Sequence, residues 1–167
     1  MTGAAEAPSE PKIVYEEHVF AALLLVHLVC FAAYLAAGFA QQQIMKRSTG
    51  LAPAIRDDHE KLAATIVTKI ELPAIIGSIV SGLGFVAITP DFMKQGWLHG
   101  KLLCVLILLV LSHLEMFNAR KIVRAREANQ ADEVDDRKKR HAMMGLAGTL
   151  AAVGLLICVT FLRLGGH

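Results

Sequence analysis

Four long apolar runs dominate this chain and leave it few folds to adopt. A helix needs roughly 20 mainly apolar residues to cross about 30 Å of hydrocarbon. Val19 to Ala40 and Ala142 to Leu162 meet that length outright. Leu72 to Thr89 is slightly short, but Leu62 to Ile70 extends it on the side of the first loop. Trp97 to Phe117 qualifies once its polar residues are accommodated. With short connections such spans form an up-down bundle. The expected fold is therefore all-α, an integral membrane antiparallel four-helix bundle. One domain, about 18–164, holds spans at about 19–42, 64–89, 97–119 and 142–163, behind an N-terminal tail of residues 1–17.

That tail, Met1 to Pro11 above all, is acidic and rich in Pro and Ala, a composition expected to be disordered. It lacks the basic start of a cleaved signal peptide, and the run after it is too long for one, so the first span is expected to be retained.

Cation placement sets the expected orientation. Lys46, Arg47, Arg56 and Lys61 lie in the first loop, and eight Lys and Arg residues between Arg120 and Arg140 lie in the third. The opposite side has only Lys12, Lys94 and Arg163 outside the spans, with Lys101 near that rim. Both termini should face outward and both long loops the cytoplasm, as in a bacterial-type inner membrane. The net charge of +2 is a topology signal, with no nucleic-acid partner implied. Acidic residues from Glu127 to Asp136 interrupt the third loop's cations, so it reads as a solvated helical extension.

Close approach of helices in lipid relies on small residues. Gly77 with Ser81, Ser78 with Gly82, Ala147 with Ala151 and Gly148 with Ala152 supply such faces. Cys30, Cys104 and Cys158 each fall in a different apolar run and read as small packing residues; no CxxC or CxxCH is present. Pro73 stands near the start of the second span, where a missing N–H is cheap or a kink forms.

Polar residues inside the spans carry the functional signal, because a charged group at a span's centre costs roughly 2.5–3.5 kcal/mol on insertion scales. His27, Tyr34 and Gln41 recur every seven residues and share a face of the first span. His99 and His113 share a face of the third, and Lys101 with Glu115 forms a second polar seam there. At 1.5 Å per residue the two histidines of the third span stand about 21 Å apart, too far for one metal. His27 can meet either one, and His113 can share a level with Glu71, Met143 and Met144. Histidine is the ionisable side chain cheapest to bury, since it can shed its charge. It is also a usual axial ligand of b-type haem inside bundles. His18, His59, His141 and His167 lie at rims, loops or the terminus and are assigned no functional role.

Several of these pieces together resemble the HemJ-type protoporphyrinogen IX oxidases, within a wider group of small CopD-like membrane proteins. They are Leu25-Val26-His27, Glu71-Leu72-Pro73-Ala74-Ile75-Ile76 leading to Ser81-Gly82-Leu83, and Gly96-Trp97-Leu98-His99-Gly100-Lys101-Leu102 followed by His113. The likeness covers about residues 19 to 120. It departs from the family pattern at Gln41-Gln42-Gln43, which closes the first span, and at Arg140-His141-Ala142, which enters the fourth. The resemblance implies a haem b cofactor, a porphyrinogen or other hydrophobic small molecule as partner, and electrons passed on in the membrane. It implies His27, His99 and His113 as cofactor-binding residues with Trp97 beside them, His27 and His99 as metal ligands, and Lys101 as the catalytic residue. Lys101 would pair with a propionate or accept a proton. Other readings are a haem-carrying electron-transfer protein, a CopD-like copper-handling protein, and a structural subunit or homo-oligomer in a membrane complex. Nucleotide-binding, zinc-protease and serine-hydrolase motifs are missing from the sequence.

Overall fold

A computed structural model describes the backbone of residues 10–162 and the side chains of residues 17–160. Met1 to Ser9, most of the expected disordered tail, lie outside the described residues, as do Arg163 and His167. Helix α1 (Glu10–Arg47) is followed by α2 (Pro53–Ile66), α3 (Leu72–Ile88), α4 (Gly96–Glu127) and α5 (Ala131–Ile157). No strand occurs among the described residues. Four helical stretches, Glu17–Arg47, Pro53–Ile88, Gly96–Glu127 and Ala131–Thr160, each contain a run long and apolar enough to cross a membrane.

Each helix ends where its residues require it. Gly50, with φ of +92°, turns the chain between α1 and α2 in a conformation that side chains rarely adopt. Pro53 then opens α2, where the missing N–H costs nothing. Between α4 and α5 only Ala128, Asn129 and Gln130 intervene. Asn129 takes φ of +56°, the Gln130 N–H bonds the Ala125 carbonyl at 2.9 Å, and the Asn129 N–H bonds the Arg126 carbonyl at 3.0 Å. Those two bonds close α4 with a Schellman motif that uses Asn in the left-handed position. The third loop is thus a helical hairpin extending beyond the apolar stretches, as its mixed charges suggested.

A π-helical turn, Val67–Glu71, joins α2 to α3. Pro73 has no N–H and crowds the carbonyl four residues back, so the ladder widens there; the Leu72 N–H reaches back five residues to Val67. One extra residue in that turn rotates everything after it and aims Glu71 into the protein, where it is 2% exposed.

Helix α1 packs along α2 and α3, α4 packs against α2 and α5, and α1 meets α5 only lightly. The glycines of α3 let it approach α1: a Cβ on Gly77 would stand 2.8 Å from Cys30 Sγ, and one on Gly84 3.2 Å from Leu23. The core has two parts. Tyr34, Ala74, Ile75, Leu108, Ala152 and Leu155 fill the middle, while Met45, Ala63, Ile122, Ala125 and Val134 fill the end near the loops. Outside, the apolar surface is extensive: Leu25 is 64% exposed, Phe39 71% and Leu150 64%. Exposed patches of that extent mark a surface made for contact with something other than water.

Candidate functional site: a polar network beneath an open groove

Where α1 and α5 separate, a groove of about 1140 Å³ opens along the molecule. Phe39 and Leu146 stand at its lips, and Glu71, Ser112 and Glu115 form its floor. The floor is one connected hydrogen-bond network. The Ser112 hydroxyl donates to Glu71 Oε1 at 3.1 Å, so the Tyr34 hydroxyl, 3.4 Å from Ser112 Oγ, is left to donate to it. Gln41 Nε2 and Gln42 Nε2 donate to the two oxygens of Glu115 at 3.2 and 2.9 Å. Gln42 also donates to the His141 carbonyl at 3.3 Å, and His141 Nε2 lies 2.6 Å from Gln41 Oε1. The Glu71 and Glu115 carboxyl groups are close enough to interact directly.

Two buried atoms in this network have no hydrogen-bond partner: Glu71 Oε2 and His141 Nδ1. Gln41 Oε1 can only accept, so His141 Nε2 carries the proton and Nδ1 presents a lone pair. His141 Nδ1 is therefore an acceptor. Glu71 Oε2 belongs to a carboxyl that shares a proton with the Glu115 carboxyl beside it and can donate or accept. The His141 and Glu71 side chains are 1% and 2% exposed and line the groove. Orphaned buried atoms of this kind are uncommon in folded proteins and point to a missing partner.

The residues singled out by the resemblance stand elsewhere. His27 is half-buried against α3, with Nδ1 2.8 Å from the Ser78 carbonyl and 3.2 Å from Ser81 Oγ. Ser81 spends its own hydroxyl proton on the Gly77 or Ser78 carbonyl, so His27 Nδ1 is the donor and Nε2 keeps its lone pair. Phe85 packs edge-on against the ring at 5.9 Å, and Lys101 lies within electrostatic reach of it. His99 is exposed and bonds the Gln95 carbonyl of its own helix at 3.2 Å. His113 is half-buried and bonds the Leu109 carbonyl at 2.8 Å. Trp97 packs against Phe92 beneath the start of α4. None of these five residues lines the groove. Glu71 meets Ser112 and Glu115, the neighbours of His113 along α4, with no bond to His113 itself.

The seven-residue face of α1 is present: Tyr34 and Gln41 are buried on it and both join the network. His141, read from sequence as a rim residue, is one of the most buried side chains, because α5 begins at Ala131 and carries it inside. Glu71, Gln42 and Ser112 were also missed as members. The available signal was a Glu within each of two apolar helices, which lipid tolerates only with partners.

A second polar cluster ties the loop end together. Glu60 is 1% exposed; its carboxylate takes Arg126 Nη2 at 2.9 Å and Nε at 3.1 Å, and Lys138 Nζ at 2.6 Å. Lys138 further donates to Ser48 Oγ at 2.9 Å. Glu60 stands on the polar first turns of α2, ahead of the apolar stretch. Burial by itself would raise its carboxyl, but Arg126 and Lys138 outweigh burial and hold it below the ordinary value of 4.5. These bonds join α2, α4, α5 and the turn after α1, and they read as a structural clamp.

No family model, no curated protein and no solved structure matches the chain.

Proposed function

We propose that this chain is a haem b-binding membrane oxidoreductase of the protoporphyrinogen oxidase type. Its four helices cross a bacterial-type inner membrane as an antiparallel bundle, termini outside and loops cytoplasmic. The observation that carries the reading is the hydrogen bond from His27 Nδ1 to the Ser78 carbonyl. Metal-ligating histidines regularly donate their second nitrogen to a carbonyl, which fixes the tautomer and aims the other lone pair at the metal. His27 fits that pattern, with Nε2 as the ligating atom.

Among the described residues no group of three or more His, Cys, Asp or Glu side chains could hold a bare metal ion. A porphyrin brings four ligands of its own, so one or two imidazoles suffice for haem. Bound haem would supply the redox centre for removing electrons from a porphyrinogen. The chain's own residues do the rest. His27 positions the cofactor, His99 or His113 offers Nε2 as a second donor, and Phe85 excludes water from one side of the His27 ring. Lys101 pairs with a propionate or accepts a proton released from the macrocycle.

Difference spectra of the purified protein, reduced minus oxidised, are expected to show b-type haem, and His27→Ala to remove most of that signal. An unchanged spectrum in His27→Ala would overturn the assignment. Conversion of porphyrinogen to fluorescent porphyrin is expected to fall about a hundredfold in Lys101→Ala, the low end for loss of a general base. A spectrum without conversion would leave a haem-carrying electron-transfer protein. That second reading draws on the groove lying apart from His27, with its own buried acceptors.

A further inference from the structure

We infer that the groove between α1 and α5 is a binding site for a lipid-soluble quinol and its oxidised quinone, with Glu71 and His141 bonding the head group. Binding stands on the groove alone; the electrons delivered there rest on the reading proposed above.

Shape gives the first argument. The groove follows α5 from Lys138 to Leu156, about five turns or roughly 27 Å. Its polar groups gather toward the loop end, around Glu71, Glu115 and His141, and the remainder runs between apolar residues such as Leu35, Val153 and Leu156. An elongated cleft, polar at one end and greasy along the rest, suits a ligand with a compact polar head and a long hydrocarbon tail. A disc-shaped tetrapyrrole suits it less well. Its lips are exposed apolar side chains, Phe39 and Leu146 among them, so a ligand dissolved among acyl chains enters sideways without crossing water.

Hydrogen-bond chemistry gives the second. The two open positions, Glu71 Oε2 and His141 Nδ1, are both enclosed; His141 Nδ1 accepts, and the Glu71 carboxyl, which shares a proton with Glu115, can donate or accept. A hydroquinone places two hydroxyls on a flat apolar ring. One donates to His141 Nδ1, and the other, able to donate or accept, meets the Glu71 carboxyl in either protonation state, without any charge. Carboxylates alone would invite a cation, but Lys46 and Lys139 line the loop end of the same groove and disfavour one. A neutral ligand with two ring oxygens satisfies both constraints.

The redox step balances. A quinone gains two electrons and two protons, both C=O groups become C–OH, and the porphyrinogen loses the equivalent two hydrogen atoms. Glu71 and His141, beside the two oxygens, are the groups that exchange those protons, and the hydroxyls of Ser112 and Tyr34 lead on from Glu71.

Gly148 makes the site testable. It lines the groove, and a Cβ added there meets nothing within 4 Å. Gly148→Phe should fill the groove without disturbing the network or His27, and Gly148→Ala serves as the control. Full-length protein in lipid nanodiscs would be photolabelled with a ring-azido short-tailed ubiquinone, with and without excess unlabelled decyl-ubiquinone. Saturable labelling of peptides from α1 and α5 is expected, reduced at least tenfold in Gly148→Phe and retained in Gly148→Ala, with the haem spectrum unchanged throughout. Glu71→Gln is expected to weaken quinol binding about tenfold, which keeps the test open if Gly148→Phe folds poorly. Labelling that does not saturate, falls outside α1 and α5, or is equal in Gly148→Phe and Glu71→Gln overturns the inference. Groove labelling in a protein without haem would support the quinol site while rejecting the proposed function.

Discussion

Glu60→Ala is expected to lower stability by about 3–5 kcal/mol, the usual cost of removing one member of a buried ion pair. The reason is the pair of cations left behind. Side chains of Arg126 and Lys138 are only 16% and 14% exposed, and both direct their donors at Glu60. Asp57, 3.7 Å from Arg126 Nε, is a poor substitute on a side chain 39% exposed. Unfolding in detergent, followed by helicity against denaturant, measures the loss. A loss under 1 kcal/mol, the range of surface pairs, would show that water already screens the cluster. Glu60→Gln should recover part of it by keeping one acceptor. The same clamp carries a pH signature. Glu60 titrates below 4.5 when folded and near 4.5 when unfolded. Its contribution is therefore complete above that range and is lost as the pH falls through it. Wild-type stability should drop on acidification below about pH 4.5, and Glu60→Gln should drop less steeply over the same range.

The parts of this molecule legible in its sequence are those set by the solvent. Bilayer thickness fixes how long an apolar helix must be, so the four runs could be counted without any structure. The shared face of Tyr34 and Gln41 was legible for a similar reason, since α1 is one uninterrupted helix and its period holds from end to end. Enclosure was not legible. The helices keep packing on one another past the apolar stretches at the loop end, so His141, placed at a rim where hydrophobicity stops, is enclosed by protein there. Facing was lost at the π turn, where the extra residue before Pro73 breaks the periodicity that would have placed Glu71 opposite Ser112. The histidines drew attention because their chemistry is familiar. The network formed instead from glutamines and glutamates, residues that acquire meaning only once their partners across three helices are known.

Gln41, Gln42 and His141 also occupy the two segments where the chain departs from the family pattern it otherwise resembles. The His27 region and the groove are accordingly separable. The first carries the resemblance, and the second takes those three residues from segments outside it. Tyr34 lies between them, seven residues or roughly 10 Å along α1 from His27.

Glu115→Ala is expected to be the second most damaging substitution, at about 2–5 kcal/mol, and damage should be confined to the groove. Glu115 is the acceptor for two amides, Gln41 Nε2 and Gln42 Nε2, on consecutive residues of α1. Removing it leaves both donors without their partner, at roughly 1–3 kcal/mol for each buried unsatisfied group. Gln42 retains its longer bond to the His141 carbonyl, 3.3 Å, so the cost falls more heavily on Gln41. Gln41 also accepts from His141, and a rotation of its amide in search of a new acceptor would break that bond too. Glu115→Gln keeps the shape and one carbonyl oxygen, and should recover more than half of the lost stability. A double-mutant cycle with Gln41→Ala separates a network from a set of independent bonds. Coupling of 0.5–3 kcal/mol is the range for residues in one network, whereas additive losses would mean that Glu115 acts on each amide alone. The His27 end provides the internal control. Its bonds run to Ser78 and Ser81, so the haem spectrum should survive Glu115→Ala even as quinol binding weakens.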